Sequence, residues 1–429
     1  MRAARADDAR GVRFISPLRD FLQTEVAGGV VLVAATVVAL IWANSPWQES
    51  YHDLWSSVFT VGFPDHNISL SLRGWVNDGL MAVFFFVVGL EIKRELVEGE
   101  LRDPRKAALP AIAALGGMIV PALVFVAFTA GGEGANGWGI PMATDIAMAL
   151  GVLSLLGSRV APSLKLFLLA LAIVDDIGAI VVIAVFYSHG FAWETALVAL
   201  ALLGCMVALR IYGVRSTTPY VVLGIGVWLA IYDSGIHATI AGVILGVLTP
   251  TRPFRQDDVL DVDALLDLSS VEAAEKSVVI ARESVSVVEW LEHRLHPWSS
   301  FFIVPVFALA NAGLVISSDS VSNAVSSPVT HGVVGGLVVG KLVGIAGFGW
   351  LGARLGIGVM PAGMNLRGLI GVAGLGGIGF TVSLLVTELA YPGRLADDAK
   401  LGVLVASVVA ATAGFLILAR PVRTTDSQV

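Results

Sequence analysis

From about residue 24 to residue 420 the chain is a succession of apolar runs joined by short polar links. Runs near 20 residues match the thickness of a bilayer's hydrocarbon core. Inside lipid every backbone N–H and C=O needs a partner from the protein itself, so such runs fold as helices. About twelve spans are expected, centred near residues 33, 85, 118, 149, 175, 202, 225, 242, 306, 342, 378 and 408. The composition agrees: 56% of the residues are hydrophobic and only 14% are charged, too few to cover a soluble globule. A soluble enzyme, a disordered chain and a nucleic-acid binder are excluded, the last also by a net charge of −7. The single cysteine, Cys205, rules out an intrachain disulfide.

Lys and Arg orient the spans, because cytoplasmic links carry the basic excess. With the N-terminus inside, all but four of the 27 basic residues fall on the cytoplasmic side. Arg73, Arg394 and Lys400 lie outside, and Lys341 lies in the middle of a span. The expected organisation is a cytoplasmic tail over 1–23, a transmembrane domain over 24–420 and a second cytoplasmic tail over 421–429. The first 20 residues hold five arginines but no apolar core, so they do not read as a cleaved signal peptide. Two links are long. The outer segment 59–75, FTVGFPDHNISLSLRGW, alternates apolar and polar residues and reads as a small β-hairpin. Its edge strand is suited to pairing with a second copy in a homodimer; a plain surface loop fits equally. The inner link over about 251–287 opens with acidic residues and continues as an amphipathic helix, a solvated insert with regulation as an alternative role.

Ionisable groups at membrane depth are costly and usually functional. Asp175 and Asp176 lie within LLALAIVDDIGAIVVIAVFY, ten or more residues from the nearest polar end, near the midplane at 1.5 Å per residue. Adjacent helix positions differ by about 100°, so one carboxylate is expected to face a water-filled cavity and the other the protein interior. Burial disfavours their charged form, and two neighbouring like charges resist double ionisation. The pair therefore suits reversible, coupled proton binding, and once deprotonated it is a hard oxygen site for a small cation. A structural pair held in helix–helix hydrogen bonds is the plainer alternative.

Asp145 follows Thr144 in GIPMATDIAMALGVL, where Gly and Pro interrupt the apolar run. The pattern reads as a helix that breaks and restarts inside the membrane, exposing N–H groups that a carboxylate balances. Ligation of a cation by Thr144 and Asp145 is equally open. Lys341 lies in the glycine-rich span GVVGGLVVGKLVGIAGFGWLG. It needs an anion, such as an Asp of the site, or the negative end of a broken helix. The segment Gly374–Gly379 spells G-x-G-x-x-G, but it lacks the strand and soluble βαβ unit of a nucleotide fingerprint. It reads as a second interrupted helix, with Gly376, Gly377 and Gly379 at the break. The two breaks fall in the middle spans of two triplets, about 107–188 and 329–420, which the charge topology orients oppositely. Such inverted repeats with discontinuous helices point to a secondary-transporter site. Glu91, Arg94 and Glu95 read as a charged helix end, and His293 and His296 lack a third partner for a metal.

These residues resemble the NhaA family of bacterial Na⁺/H⁺ antiporters, a family built on such inverted repeats. The similarity spans about 21–420. It is most specific in VNDGLMAVFFFVVGLEIKREL (76–96), PMATDIAMALGVL (141–153), LALAIVDDIGAIVVIAVFY (169–187), GIHATIAGVILG (235–246), LEHRLHPW (291–298), FALANAG (307–313) and GGIGFTVSLL (376–385). The resemblance implies an all-α polytopic membrane protein of about twelve helices. Two inverted three-helix repeats cross near the midplane, and a small extracytoplasmic hairpin completes the fold. It implies that Asp175 and Asp176 bind Na⁺, Li⁺ or protons, that Thr144 and Asp145 belong to the first break, and that Lys341 and Asp145 balance charge there. It implies a pH-control cluster of Glu91, Arg94, Glu95, Glu292, His293 and His296. It also implies electrogenic exchange, a multi-pass location among the lipids of a bacterial inner membrane, and no cofactor. The chain departs from well-known members just before LEH, where Glu289-Trp290 replaces a basic pair, and in its longer acidic insert. Rival readings are weaker. A solute symporter needs an organic-substrate pocket, an intramembrane aspartyl protease needs a G-x-G-D motif that no Asp here supplies, and a channel would neither saturate nor exchange protons.

Overall fold

The computed structural model describes residues 26–63, 66–188, 190–214, 216–251, 286–361 and 363–419. Helix α1 (Val26–Ala43) leads into α2 (Gln48–Ser56) and a hairpin of β1 (Val58–Phe63) and β2 (His66–Ser71). Then come α3 (Met81–Val97), α4 (Pro104–Thr129), an arm of 3-10 helix (Glu133–Met142) and α5 (Ile146–Leu155). They are followed by α6 (Pro162–Phe186), α7 (Trp193–Ile211), α8 (Thr217–Asp233), α9 (Thr239–Leu248), α10 (Val287–Trp298) and α11 (Val304–Asn311). Last are α12 (Ser318–Ser326), α13 (Pro328–Arg354), α14 (Leu366–Leu375), α15 (Phe380–Ala390) and α16 (Arg394–Ala419).

Six of these helices are long and apolar enough to cross a membrane alone, and two bent pairs bring the number to eight. The helical runs through α3, α8, α9 and α10–α11 supply four shorter segments at the remaining expected centres. The fold is thus an all-α polytopic membrane protein with about twelve spans, and it fits two inverted triplets: α4 to α6 and α13 to α16. Each has a bent middle member, by 45° between the arm and α5 and by 46° between α14 and α15. The expected tails, most of the acidic insert and the hairpin tip Pro64-Asp65 lie outside the described residues.

The hairpin is shorter than the reading of 59–75. Strand pairing runs from Val58 with Ser71 to Phe63 with His66. Beyond it Ser71 accepts a hydrogen bond from Gly74 N–H and starts a helical turn, so Leu72–Gly74 leave the sheet. The first break also differs from expectation on one side. Pro141 and three glycines keep Glu133–Met142 in 3-10 geometry, not α.

The chain forms two compact units. One comprises residues up to Asn77, Asp103–Tyr187 and Ser300 onward; the other comprises Asp78–Arg102 and Ser188–Ser299. In the first unit α4 packs along α13, and α6, the arm, α14, α15 and α16 gather around them. Glycine sets the α4–α13 distance. A Cβ on Gly344 would lie 2.7 Å from the Gly116 carbonyl carbon, and one on Gly340 would lie 2.6 Å from Pro121 Cα. Close backbone approach of this kind is how helices pack where the solvent is lipid and hydrophobicity offers no drive. In the second unit α3 and α9 repeat the device: a Cβ on Gly89 would lie 2.8 Å from Val243 O.

Gly344→Ala is expected to cost about 1–3 kcal/mol by overpacking, whereas Gly347→Ala, a helical position with nothing within 4 Å, is expected to raise stability by up to about 1 kcal/mol. Thermal unfolding of the two variants in detergent checks this.

Candidate cation and proton site

The close α4–α13 crossing determines where Lys341 points. Lys341 follows the π-helical stretch Gly335–Gly340 within α13, and its stem lies beside Gly117 of α4, where a Cβ would stand 3.7 Å from its Cδ. Its ammonium donates to Asp175 Oδ2 at 2.5 Å and to Thr144 Oγ1 at 3.0 Å. Asp175 and Lys341 are both 0% exposed, and Asp176, the next residue on α6, is 5% exposed. Of the two partners left open for Lys341, the structure provides an aspartate. Both carboxylates are buried. Asp175 Oδ1 is buried and accepts no hydrogen bond among the described residues. Asp176 is close enough to Lys341 to interact with its charge.

The two breaks meet beside this pair. Thr144 donates its hydroxyl hydrogen to Gly376 O at 2.9 Å, and Asp145 N–H donates to Ile378 O at 2.6 Å. Asp145 then serves two helix starts. Its Oδ1 accepts from Met148 N–H at 3.0 Å, capping α5. Its Oδ2 accepts from Thr381 N–H at 3.1 Å and Thr381 Oγ1 at 2.8 Å, at the start of α15. One buried carboxylate thus balances the positive ends of two helices. Thr381 is a residue that sequence reasoning missed. The only signal was a hydroxyl directly after the second break, the place where a capping group is useful.

The glycines of the second break are needed for space, not for backbone freedom, since none has a positive φ. A Cβ on Gly376 would sit 2.5 Å from Ile345 Cδ1, and one on Gly379 would sit 2.8 Å from Leu337 Cδ2. A Cβ on Gly377 would overlap Leu337 O.

The charged cluster lies in the second unit, where α10 packs on α3. Arg94 is ion-paired with Glu292 and lies 3.6 Å from Glu95. Glu91 and His296 join by charge, acting on Arg94 and Glu292 respectively. Ser286 starts α10 by accepting from Glu289 N–H at 3.1 Å, which places Glu292 toward α3. His293, about 100° further round the helix, is exposed and is not brought into the cluster.

Two facing breaks, two buried adjacent carboxylates and a buried lysine define a secondary transporter of small cations. The family model described as Na⁺/H⁺ antiporter 1 matches residues 19–418. The chain is 45% identical over 425 residues to the Na⁺/H⁺ antiporter NhaA of Oleidesulfovibrio alaskensis, covering 95% of this chain and 94% of the relative. It is 46% identical over 418 residues to the NhaA of Rhodopirellula baltica, with coverage of 95% and 94%. Among solved structures, the sodium proton antiporter MjNhaP1 from Methanocaldococcus jannaschii aligns with a TM-score of 0.51 at 13% identity. That alignment covers 94% of this chain and 99% of the other, a likeness of fold alone. The chain belongs to the NhaA family of Na⁺/H⁺ antiporters, which are transporters and not enzymes.

Removing Lys341 strands a buried carboxylate. Lys341→Met alone is expected to lower stability by about 3–5 kcal/mol. Combined with Asp175→Asn it should recover most of that loss, because no unpaired charge remains. Thermal unfolding of the two variants in one detergent checks the difference.

Proposed function

We propose that the chain exports Na⁺, or Li⁺, in exchange for protons by alternating access. The observation that carries this reading is the buried Asp175–Lys341 ion pair with Asp176 beside it, enclosed where the two helix breaks meet. Protons and a small cation compete for the same carboxylates. With the site deprotonated, Asp176 and the second oxygen of Asp175 offer hard oxygen ligands to a cation. Lys341 supplies the opposing charge to Asp175, so a cation that binds Asp175 competes with the ammonium. Thr144, bonded to Lys341 and to the second break, and Asp145, bonded to both helix starts, keep the two breaks together around the exchange. Coupling needs no separate device: an occupied, charge-balanced site crosses the midplane at lower cost than an empty charged one.

A cycle moving more protons than cations is electrogenic, and each net charge gains about 2.3 kcal/mol per 100 mV. The charge bias of the links supports a bacterial inner-membrane location with both termini cytoplasmic. In that orientation the cluster of Glu91, Arg94, Glu95, Glu292 and His296 lies at the inner surface, suited to pH control, and the β1–β2 hairpin lies outside, where its edge is suited to a homodimer contact.

Purified protein in liposomes with an acidic lumen is expected to alkalinise that lumen when NaCl is added outside, and Asp176→Asn should reduce the signal to the protein-free background. Absence of Na⁺-dependent proton movement in a pH-scanned, oriented preparation would overturn the exchange reading in favour of solute symport. The apparent KM for Na⁺ should rise as pH falls, by up to about tenfold per unit for one competing proton, with Vmax nearly constant. Initial rates over a Na⁺ titration at several pH values test the competition.

A further inference from the structure

The arm Glu133–Met142 carries Gly134, Gly137, Gly139 and Pro141 in 3-10 geometry, a backbone whose polar groups are poorly served by its own bonds. In a membrane those groups need partners from other segments. Two tyrosines provide them. Tyr187, the residue after α6, accepts from Gly139 N–H at 3.1 Å and donates its hydroxyl hydrogen to Asn136 O at 2.7 Å. Tyr391, the residue after α15, donates to Gly134 O. Both rings are buried. Ser383 of α15 adds a fourth bond, donating to Ile140 O at 2.7 Å. The arm is glycine where the tyrosines approach. A Cβ on Gly139 would lie 2.8 Å from Tyr187 Oη, and one on Gly137 would overlap the Tyr391 hydroxyl.

The tyrosines stand at the far ends of the two helices that build the site. From Asp176 to Tyr187 the chain is helical up to Phe186, a rise of about 16 Å. Helix α15 begins next to Thr381, which holds Asp145, and ends just before Tyr391. Helix α15 is therefore tied to the chain of the first break near the carboxylates and again at this end. Helix α6 is tied at this end directly, and near the carboxylates through Lys341. Ile140 and Thr144 are buried along the seam. For the carboxylates to open toward this end, the arm must part from α6 or α15, and that parting breaks the tyrosine bonds.

We propose that Tyr187 and Tyr391 are positioning residues of the exchange cycle: their hydroxyls latch the arm to α6 and α15 and set how often the site opens toward the end where they lie. The inference rests on the exchange reading but has a readout independent of it. Loss of one hydroxyl bond biases the equilibrium toward the form open at the tyrosine end by about fivefold. A ligand's apparent affinity follows the fraction of protein competent to bind it. The two sides therefore respond in opposite directions, which a general packing defect does not produce.

Tyr187→Phe and Tyr391→Phe would be compared with the unmodified chain in right-side-out and everted vesicles, using only variants that are monodisperse by gel filtration. The KM for Na⁺ is expected to fall when Na⁺ is presented at the tyrosine side and to rise at the other, with a smaller change in Vmax. Unchanged KM values, or shifts of the same sign on both sides, would overturn the proposal. In parallel, Ile140→Cys in a Cys205→Ser background would be labelled from the tyrosine side with a membrane-impermeant maleimide. Labelling several-fold faster when Tyr187 or Tyr391 is Phe supports the latch, and equal rates refute it. Because labelling needs no transport, a failure of exchange itself is told apart.

Discussion

A helix broken inside a membrane leaves N–H and C=O groups that no water can satisfy, and everything around the carboxylates follows from how those groups are met. The two breaks satisfy each other. Thr144 bonds Gly376 O, Asp145 N–H bonds Ile378 O, and the Asp145 carboxylate closes the starts of both α5 and α15. The crossing thus requires both halves, and a disturbance of one break is felt in the other. Lys341 then ties the crossing to the exchange pair, since the same ammonium holds Thr144 and Asp175.

Such an arrangement demands that backbones come very close, and glycine is what permits it. Gly116, Gly340 and Gly344 let α4 and α13 approach until a Cβ has no room, which buries a lysine whose stem then has apolar walls. Gly376, Gly377 and Gly379 play the same part at the second break. In a membrane this packing carries much of the weight that hydrophobic burial carries in water, because lipid tails already satisfy apolar side chains. A buried ion pair in that setting is weak evidence of stability but strong evidence of use, since retaining two desolvated charges is costly.

Much was legible from local signals. Apolar run length located the spans, and Gly and Pro inside apolar runs marked both breaks. Asp175, Asp176, Asp145 and Lys341 stood out because ionisable groups are rare at membrane depth. The misses were also physical. Alternation suggested a hairpin through residue 75, but Ser71 caps a helical turn and ends the sheet. His293, which adjoins Glu292 in sequence, is exposed, whereas Glu292 is buried against α3. Thr381 and Ser383 look like ordinary helix residues, and Tyr187 and Tyr391 like ordinary helix ends, because their hydrogen-bond partners lie far away in sequence.

The sequence by itself determined the class of protein and the identity of its costly residues, because hydropathy, charge and chain breaks are properties of single segments. Tertiary structure alone decided the partnerships. Lys341 chose Asp175 across 166 residues and Thr381 chose Asp145 across 236. At such separations no periodicity or spacing carries the information. The choice is made by which backbones approach closely enough for one buried polar group to satisfy another.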